Sequence, residues 1–268
     1  FDPQGALIAN APHMPVHLGS MGESVRTILR LRGQEMRPGD VYALNNPYNG
    51  GTHLPDVTAV MPVYDGHGEL LFFTASRAHH ADIGGITPSS MPPDSTHIEQ
   101  EGVLFDNFHL VDRGRLREAE LLELLGSGEY PARNPTQNVA DLQAQIAACQ
   151  RGANELARMV EQFGLATVRA YMRHVLDNAE ESVRRVLDVL TDGEFTYPHD
   201  LGPVVKVKIG IDKQARRARI DFTGTSPQQP WNFNAPAAVT KAAVLYVFRT
   251  LVDAIVPMLR APPWLNTT

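Results

Sequence analysis

The 268-residue chain lacks several features, and each absence excludes a class of protein. Its single cysteine, Cys149, excludes an internal disulfide framework and fits a reducing compartment; in an Ala-rich helical stretch it is expected to be buried rather than nucleophilic. No apolar run of about 18 residues occurs, and no signal peptide is visible. No basic run alternates with aromatic residues, and the net charge is -6. We therefore expect a cytoplasmic protein with no nucleic-acid or membrane partner.

Composition changes along the chain and predicts its class of fold. Hydrophobic residues make up 43% of the sequence, ample for a core, and eight of the ten histidines lie in the first 109 residues. We predict an α+β fold with mixed or antiparallel sheets and hairpins in the N-terminal half, then a long αα-hairpin and further strands. The predicted division is a β-rich site region at 1–112, a helical and β-hairpin region of the same domain at 113–253, and an irregular tail at 254–268.

Helical periodicity and strand alternation predict the main elements. Ser20 followed by Glu23 is a capping-box pattern, which predicts a helix over residues 20–31 that buries Val25 and Ile28. Similar patterns predict four further helices, at residues 115–125, 138–163, 165–190 and 235–252. Alternating or short apolar segments predict strands at residues 40–44, 57–64, 69–76, 204–211 and 217–222.

The most informative segment is a predicted hairpin with polar residues at its open end. Two apolar runs, residues 57–64 and 69–76, flank a short loop with two glycines, which is a hairpin signal. Pro62 inside the first run indicates an edge strand or a bulge. Gly50 and Gly51 precede the first run, and they allow unusual backbone angles or the close approach of a ligand.

Antiparallel pairing brings together the histidines and the carboxylate at the open end of this hairpin. His53 and Asp56 lie at the start of its first strand, and His79 and His80 follow its second strand. Because side chains alternate between faces, only one of His79 and His80 shares a face with His53. A four-residue loop favours His80, whereas a loop one residue longer or shorter favours His79. These ligand types suit divalent zinc, manganese or iron; the alternative is a buried network of hydrogen-bonded histidines.

Several long motifs resemble the hydantoinase B / 5-oxoprolinase family. They lie at residues 11–21, 51–56, 76–88, 98–102, 133–145 and 234–236. The resemblance runs from residue 1 to about residue 253. Family members are the B subunits of ATP-dependent N-methylhydantoinases, the C-terminal part of 5-oxoprolinases and one large subunit of acetone and acetophenone carboxylases. This chain resembles the N-terminal half of such a subunit, and residues 1–7 look like the middle of a hairpin, so we expect part of a longer subunit.

The resemblance implies a function divided between two subunits. A hydantoinase A-like ATPase would phosphorylate the amide or enolate oxygen of the substrate, and this chain would carry out the metal-dependent hydrolysis of a cyclic amide of the hydantoin or 5-oxoproline type. ATP is expected to bind the partner rather than this chain, which lacks a P-loop pattern. The expected assembly is a hetero-oligomer. The alternatives are a subunit of an ATP-dependent ketone carboxylase and a non-catalytic assembly subunit.

The resemblance also implies a set of site residues. The manganese ligands of the carboxylase branch correspond to His53, Asp56 and His79, which favours His79 over the His80 of the simple loop register. The family often has Asp where this chain has Asn46, a departure that could alter activity. The remaining catalytic candidates are His17, His80, Asp82 and Glu101. The candidate substrate-binding amides are Asn45, Asn138 and Gln145.

Each of these remaining candidates has a predicted role and a structural alternative. His17 would be a proton shuttle or a substrate contact, and otherwise a residue at the entry of a helix. Asp82 would orient a ligand histidine, and otherwise cap a turn beside the glycines that follow it. Glu101 is a candidate general base by its chemistry. His80 would act behind the ligands or touch the substrate. The three amides would bind a planar amide or carboxylate, or else form structural hydrogen bonds.

Overall fold

The computed structural model describes residues 1–11 and 13–260, with side chains described as far as Ile255. These residues form helices and two antiparallel sheets, which confirms the predicted α+β class. The chain forms two compact units: Phe1–Met172 with Pro230–Ala243, and Arg173–Gln229 with the chain from Val244 onward. The division predicted at residue 112, between two regions of one domain, stays a prediction.

The first unit contains a five-stranded sheet, sheet A, and the helices that precede and follow it. The strands of sheet A have the order β3-β2-β1-β4-β5. They are β1 (Val41–Leu44), β2 (Asp56–Tyr64), β3 (Leu70–His79), β4 (Phe108–Asp112) and β5 (Arg115–Leu116). The helices are α1 (Pro15–Arg32), α2 (Glu118–Leu125) and α3 (Pro135–Phe163). The last two strands were not predicted. The helix predicted at 115–125 begins at Glu118 because Arg115 and Leu116 pair as β5 and Arg117 is the N-cap residue.

Sheet A is covered by helices on both faces. Val25 and Ile28 of α1 are fully buried against one face, which presents Val60 of β2. Leu142 of α3 is buried against the other face, which presents Ala59. The neighbouring residues Ala59 and Val60 of β2 are thus buried in the cores on opposite faces of sheet A, as the alternation of side chains along a strand requires. Each large aliphatic side chain buried in this way contributes about 1.5–3 kcal/mol.

Helix α1 begins earlier than its sequence pattern predicts. Pro15 stands in the first turn, where its missing N–H costs nothing, and Met14 is the N-cap residue without a side-chain cap. Ser20 lies within the helix, and its hydroxyl donates to the carbonyl oxygen of Val16 at 2.7 Å. The predicted capping box at Ser20 is therefore wrong. The earlier start places His17 on the helix.

The β2–β3 hairpin has the register that decides the site. Asp56 pairs directly with His79, and the pairing shifts by one residue between Val63 and Tyr64. The predicted four-residue loop, with its register that places His80 opposite His53, is therefore wrong. Pro62 is tolerated because it lies beyond the residues of β2 that pair with β1, and because the irregularity follows it directly.

The rest of the chain follows the predicted order with shifted ends. Helix α4 (Leu165–Val189) follows α3 after Gly164, which has a φ of 80°, and Val168 packs beside Leu156. Sheet B is formed by β6 (Gly193–Pro198), β7 (Val204–Asp212) and β8 (Arg217–Asp221), of which β6 was not predicted. Helix α5 spans Ala237–Arg260, so the irregular tail predicted from residue 254 is wrong up to residue 260. Residues 261–268 of that predicted tail lie outside the described residues.

The fold also bears on Cys149 and on the helices. Cys149 on α3 is buried, and burial raises the pKa of its thiol to about 12, so it is not poised as a nucleophile. Within the described part of the chain, no helix combines the length and apolar character needed to cross a bilayer.

Candidate metal centre

Two histidines and one carboxylate meet at the open end of the β2–β3 hairpin. His53 lies in the turn that enters β2, where the amide of Asp56 donates to the His53 carbonyl oxygen at 3.1 Å. Asp56 is the first residue of β2, and His79 is its partner at the end of β3. We call His53, Asp56 and His79 the hairpin-end group.

The ligand atoms of the hairpin-end group face one another. His53 Nε2 lies 3.3 Å from His79 Nδ1, and His79 Nδ1 lies 3.2 Å from Asp56 Oδ1. One ligand atom of each residue lies within 4.8 Å of the other two. The carboxylate is buried, whereas the His79 side chain is 53% exposed, so the group is open to solvent on one side.

This donor set fits a divalent transition-metal ion. Two imidazole nitrogens and a carboxylate oxygen are typical ligands of zinc, manganese or iron. Two ligands bound tetrahedrally at about 2.0–2.1 Å lie about 3.3 Å apart, and the observed separation of the two imidazole nitrogens is 3.3 Å. Three protein ligands leave further coordination positions for water or substrate, which is the arrangement of a catalytic rather than a structural centre.

The second carboxylate oxygen of Asp56 is held from behind. His17 on α1 places its Nε2 at 3.0 Å from Asp56 Oδ2, and the Thr52 hydroxyl donates to the same oxygen at 3.3 Å. His17 Nδ1 lies 2.9 Å from His13 Nδ1, and the two rings are stacked. The carboxylate acceptor implies that His17 carries its proton on Nε2, so His13 donates to Nδ1. His17 is therefore well placed to orient the carboxylate of a ligand.

The electrostatics favour the protonation state that metal binding needs. Burial lowers the pKa of His17 and of His53, so both rings are neutral at pH 7. Burial alone would raise the pKa of Asp56, but His53, the hydrogen bond from His17 and the charge of Arg77 outweigh it and hold that pKa below its usual value. A neutral imidazole beside an ionised carboxylate is the form that ligates a cation.

His80 lies on the other face of the sheet and is hydrogen-bonded to two amides of α3. Its Nε2 lies 3.1 Å from Gln145 Oε1, and its Nδ1 lies 3.1 Å from Asn138 Nδ2. Gln145 also donates to the carbonyl oxygens of Val57 and Ser76, which belong to β2 and β3. We call His80, Asn138 and Gln145 the α3-side network. The catalytic and substrate-binding roles predicted for these residues stay predictions, while the geometry favours positioning of the hairpin.

The other predicted residues lie in loops that surround the hairpin end. Asn45 is fully buried and makes three hydrogen bonds, to the carbonyl oxygens of Leu54 and Val103 and from the amide of Phe105. Its predicted role in substrate binding stays a prediction. In the structure its side-chain amide joins the segment of Leu54 to that of Val103 and Phe105 by hydrogen bonds.

Asp82 and Glu101 also have protein partners. Asp82 accepts from the amides of Gly84 and Ser89, as the turn-cap alternative requires, and forms an ion pair with Arg133 at 2.7 Å. Glu101 accepts from the Ser95 hydroxyl at 2.8 Å and is not grouped with the hairpin-end residues. Their predicted catalytic roles stay predictions.

The glycines before His53 are explained by crowding. Gly50 has a φ of 89°, and a Cβ on Gly51 would collide with the carbonyl oxygen of Asn45. The side chain of Asn46, which stands where the family often has Asp, accepts from the amide of Tyr48 at 3.0 Å. This loop therefore folds back tightly on itself before it delivers His53.

Three residues near the site were missed by sequence reasoning: His13, Thr52 and Arg77. The spacing of His13 and His17, four residues apart at a helix start, was an available signal for their contact. Arg77 lies opposite Thr58 in the hairpin, and only the register reveals which side of the sheet it faces.

A second group of possible ligands lies at the far end of β1. Asp40, His109 and Asp112 satisfy the same distance limit as the hairpin-end group. However, Asp40 already accepts from the amides of Arg37 and Arg113 at 2.8 and 2.9 Å and from the hydroxyl of Tyr42 at 3.2 Å. These contacts join two turns, so we assign the group a structural role.

Comparison with known proteins identifies the family. Residues 1–262 match the hydantoinase B/oxoprolinase family. The chain belongs to this family. It is 44% identical to 5-oxoprolinase 1 of Arabidopsis thaliana over 96% of its own length, but it spans only 22% of that relative. The chain therefore spans about a fifth of the length of this relative.

Two solved structures share the fold. The ATP-dependent caprolactamase from Pseudomonas jessenii superposes with a TM-score of 0.79 at 28% identity, over 89% of this chain and 41% of that one. The nucleotide-free acetone carboxylase superposes with a TM-score of 0.81 over 95% of this chain and 36% of that one. Its identity is 16%, so this second likeness shows the fold alone.

Proposed function

We propose that this chain carries the metal centre for hydrolysis of a cyclic amide of the hydantoin or 5-oxoproline type. Before hydrolysis, an ATPase of the hydantoinase A kind would activate the substrate. The observation that carries the proposal is the convergence of His53, Asp56 and His79 at the hairpin end. Membership of the family and the likeness to a 5-oxoprolinase and a caprolactamase support a cyclic amide as the substrate class.

The ATP-dependent step is placed outside this chain in the proposal. The caprolactamase that shares its fold is ATP-dependent, and this chain covers 41% of it. We assign the activating step to a partner subunit, as the family resemblance implies, or to another segment of one polypeptide in long relatives. In the first case the assembly is a hetero-oligomer. The single buried cysteine fits a cytoplasmic setting.

The residues have distinct roles in this proposal. His53, Asp56 and His79 would hold a manganese, zinc or iron ion. When bound, such an ion supplies Lewis-acid polarisation of an oxygen and activation of water. His17 fixes the orientation of the Asp56 carboxylate through its Nε2–H and, through its contact with His13, connects that carboxylate to solvent. The exposed side of His79 is the approach for the substrate.

A metal analysis tests the central claim. Protein purified without chelator is expected to contain about one divalent ion per chain, and the variant His53→Ala/Asp56→Ala is expected to lose it. The matched control is His67→Ala, which removes an exposed histidine from the opposite end of the same hairpin. Metal that persists in the double variant, or an absence of metal in both proteins, would overturn the proposed ligand set and favour the assembly-subunit alternative.

The carboxylase alternative differs from hydrolysis in its substrates, because a carboxylase consumes bicarbonate and a ketone. The structural likeness to acetone carboxylase keeps it open at the level of fold. Purified protein together with its ATPase partner should release the ring-opened acid from a cyclic amide and should not incorporate labelled bicarbonate into a ketone. The reverse result would move the same metal centre to the carboxylase branch.

A further inference from the structure

The guanidinium of Arg77 is a branching point in the hydrogen bonds behind the hairpin-end group. It lies on β3 and donates to three hydroxyl oxygens: Thr58 Oγ1 at 2.7 Å, Ser20 Oγ at 2.6 Å and Ser24 Oγ at 2.8 Å. All three hydroxyl residues are buried. Burial lowers the pKa of Arg77 to about 10, so the group stays charged at neutral pH.

Each serine passes the interaction on to a backbone carbonyl. The hydroxyl of Ser20 donates to the carbonyl oxygen of Val16, the residue before His17. The hydroxyl of Ser24 donates to the carbonyl oxygen of Gly50 at 2.6 Å, in the tight loop that delivers His53. A cation that donates to a hydroxyl polarises it and strengthens its onward hydrogen bond.

The hydrogen bond to Thr58 and the position of Arg77 on β3 connect it to the remaining two residues of the site. Thr58 is directly opposite Arg77 and lies two residues after Asp56, on the same face of β2. Arg77 lies two residues before His79, on the same face of β3. The guanidinium is therefore linked to every segment that carries a residue of the site, namely those with His17, His53, Asp56 and His79.

The partners of Arg77 are unusual for a half-buried cation. Among the described residues it has no carboxylate within ion-pair distance, and the charge of Asp56 acts on it from beyond that distance. A half-buried guanidinium that bonds only hydroxyls gives up the stronger, charge-assisted bonds to a carboxylate. The planar fork of arginine, with five donors in fixed directions, can satisfy three hydroxyls at once, which a lysine ammonium on a flexible stem does less well.

We propose that Arg77 is the positioning residue of the hairpin-end group, acting through Ser20 on His17, through Ser24 on the His53 loop and through Thr58 on the Asp56 strand. The proposal rests on the proposed function only where it concerns metal affinity. The placement of His17 and His53 is a property of the metal-free chain and can be measured without any ion.

The first experiment records the imidazole nitrogen and carbon-bound proton signals of the metal-free protein by NMR. In wild type, His17 is expected to show one tautomer with the proton on Nε2. In Arg77→Met the signals of His17 and His53 should shift and the His17 tautomers should mix, while Arg77→Lys should recover part of the wild-type pattern. The matched control is Arg32→Met on α1, the helix that carries His17; the Arg32 guanidinium bonds Asn107 and Glu35 instead.

The second experiment measures manganese binding to the same proteins by titration. Loss of a group that orients ligands typically lowers metal affinity about 10–100-fold, and we expect this loss in Arg77→Met, with a smaller loss in Arg77→Lys and none in Arg32→Met. Thermal unfolding of each variant verifies that it remains folded. A failure of wild type to bind manganese would count against the proposed function, and the NMR result would then decide the role of Arg77 alone.

Single serine variants keep the test decisive if Arg77→Met does not fold. Ser20→Ala is expected to shift the signals of His17, and Ser24→Ala is expected to shift those of His53. Each variant removes one of the hydroxyl groups through which Arg77 is connected to these segments. The proposal would be overturned if the imidazole signals stayed unchanged in the folded Arg77→Met protein, or in both serine variants. Equal shifts in Arg32→Met would also overturn it.

Discussion

The adjacent histidines His79 and His80 lie on opposite faces of sheet A and meet different surroundings. His79 faces the side covered by α1, where its Nδ1 lies near ligand atoms of His53 and Asp56 and more than half of its side chain is exposed. His80 faces the side covered by α3, is buried, and has an amide partner at each ring nitrogen.

This difference separates a ligand group from a structural network. On the α3 side, both ring nitrogens of His80 have amide partners, so the histidine adds stability and has no free lone pair to offer. On the α1 side, lone pairs of three residues converge and remain accessible to an ion. The same residue type thus serves two purposes one position apart, and the following predictions test that contrast.

The largest expected effect is the loss of metal binding in Asp56→Asn. The substitution keeps the shape of the side chain but removes the negative charge, so manganese or zinc affinity should fall by more than about 100-fold, beyond the range for residues that only orient a ligand. Equilibrium titration would measure it. Asp112→Asn, in the second ligand-like group, is the control and should bind as wild type; a similar loss there would contradict the assignment.

The opposite result is expected on the α3 side. His80→Ala removes a buried ring and leaves Gln145 and Asn138 without one partner each, so the free energy of unfolding should fall by about 2–3 kcal/mol. Metal affinity should change by no more than about twofold. Urea denaturation and the same titration would measure both quantities. Metal loss without loss of stability would show that His80 is a ligand.

Crowding in the His53 loop predicts an intermediate effect. Gly51→Ala forces a methyl group against the Asn45 carbonyl, which should cost about 1–3 kcal/mol of stability and weaken metal binding by displacing His53. Gly66→Ala in the hairpin turn has no neighbour to meet and serves as the control. Calorimetry would measure the stability and titration would measure the metal affinity. Equal changes in the two variants would contradict the steric explanation.

The smallest expected effect is a pH dependence of stability in the metal-free protein. The pKa values of His17 and His53 are lowered in the fold, so the unfolded chain binds protons more readily, and stability should fall as pH drops below the usual imidazole pKa of about 6.5. The lowered pKa of Asp56 acts in the same direction at more acidic pH. Urea melts between about pH 7 and pH 5 should show a shallower slope for His17→Ala/His53→Ala; an unchanged slope would assign the dependence to other groups.

Much of the fold was predictable because local signals agree with the final structure. The apolar runs around the glycine loop predicted the β2–β3 hairpin, and the long periodic segments predicted α3 and α4. The short strands β4 and β5 were missed because a few residues carry little periodic signal. The start of α1 was missed because Ser20 imitates an N-cap, while its hydroxyl in fact bonds within the helix.

The residue types of the candidate centre and their order along one hairpin could be read from the amino-acid sequence, because imidazole and carboxylate groups at the ends of paired strands must approach one another. It left open which of His79 and His80 joins them. The fold settles that point: Asp56 pairs with His79, so their side chains share a face, and His53 reaches that face from the turn before β2, where strand alternation does not apply. Only packing of α1 on that face could then bring His17 to Asp56 and the two serines to Arg77, because contacts between segments far apart in sequence leave no local pattern.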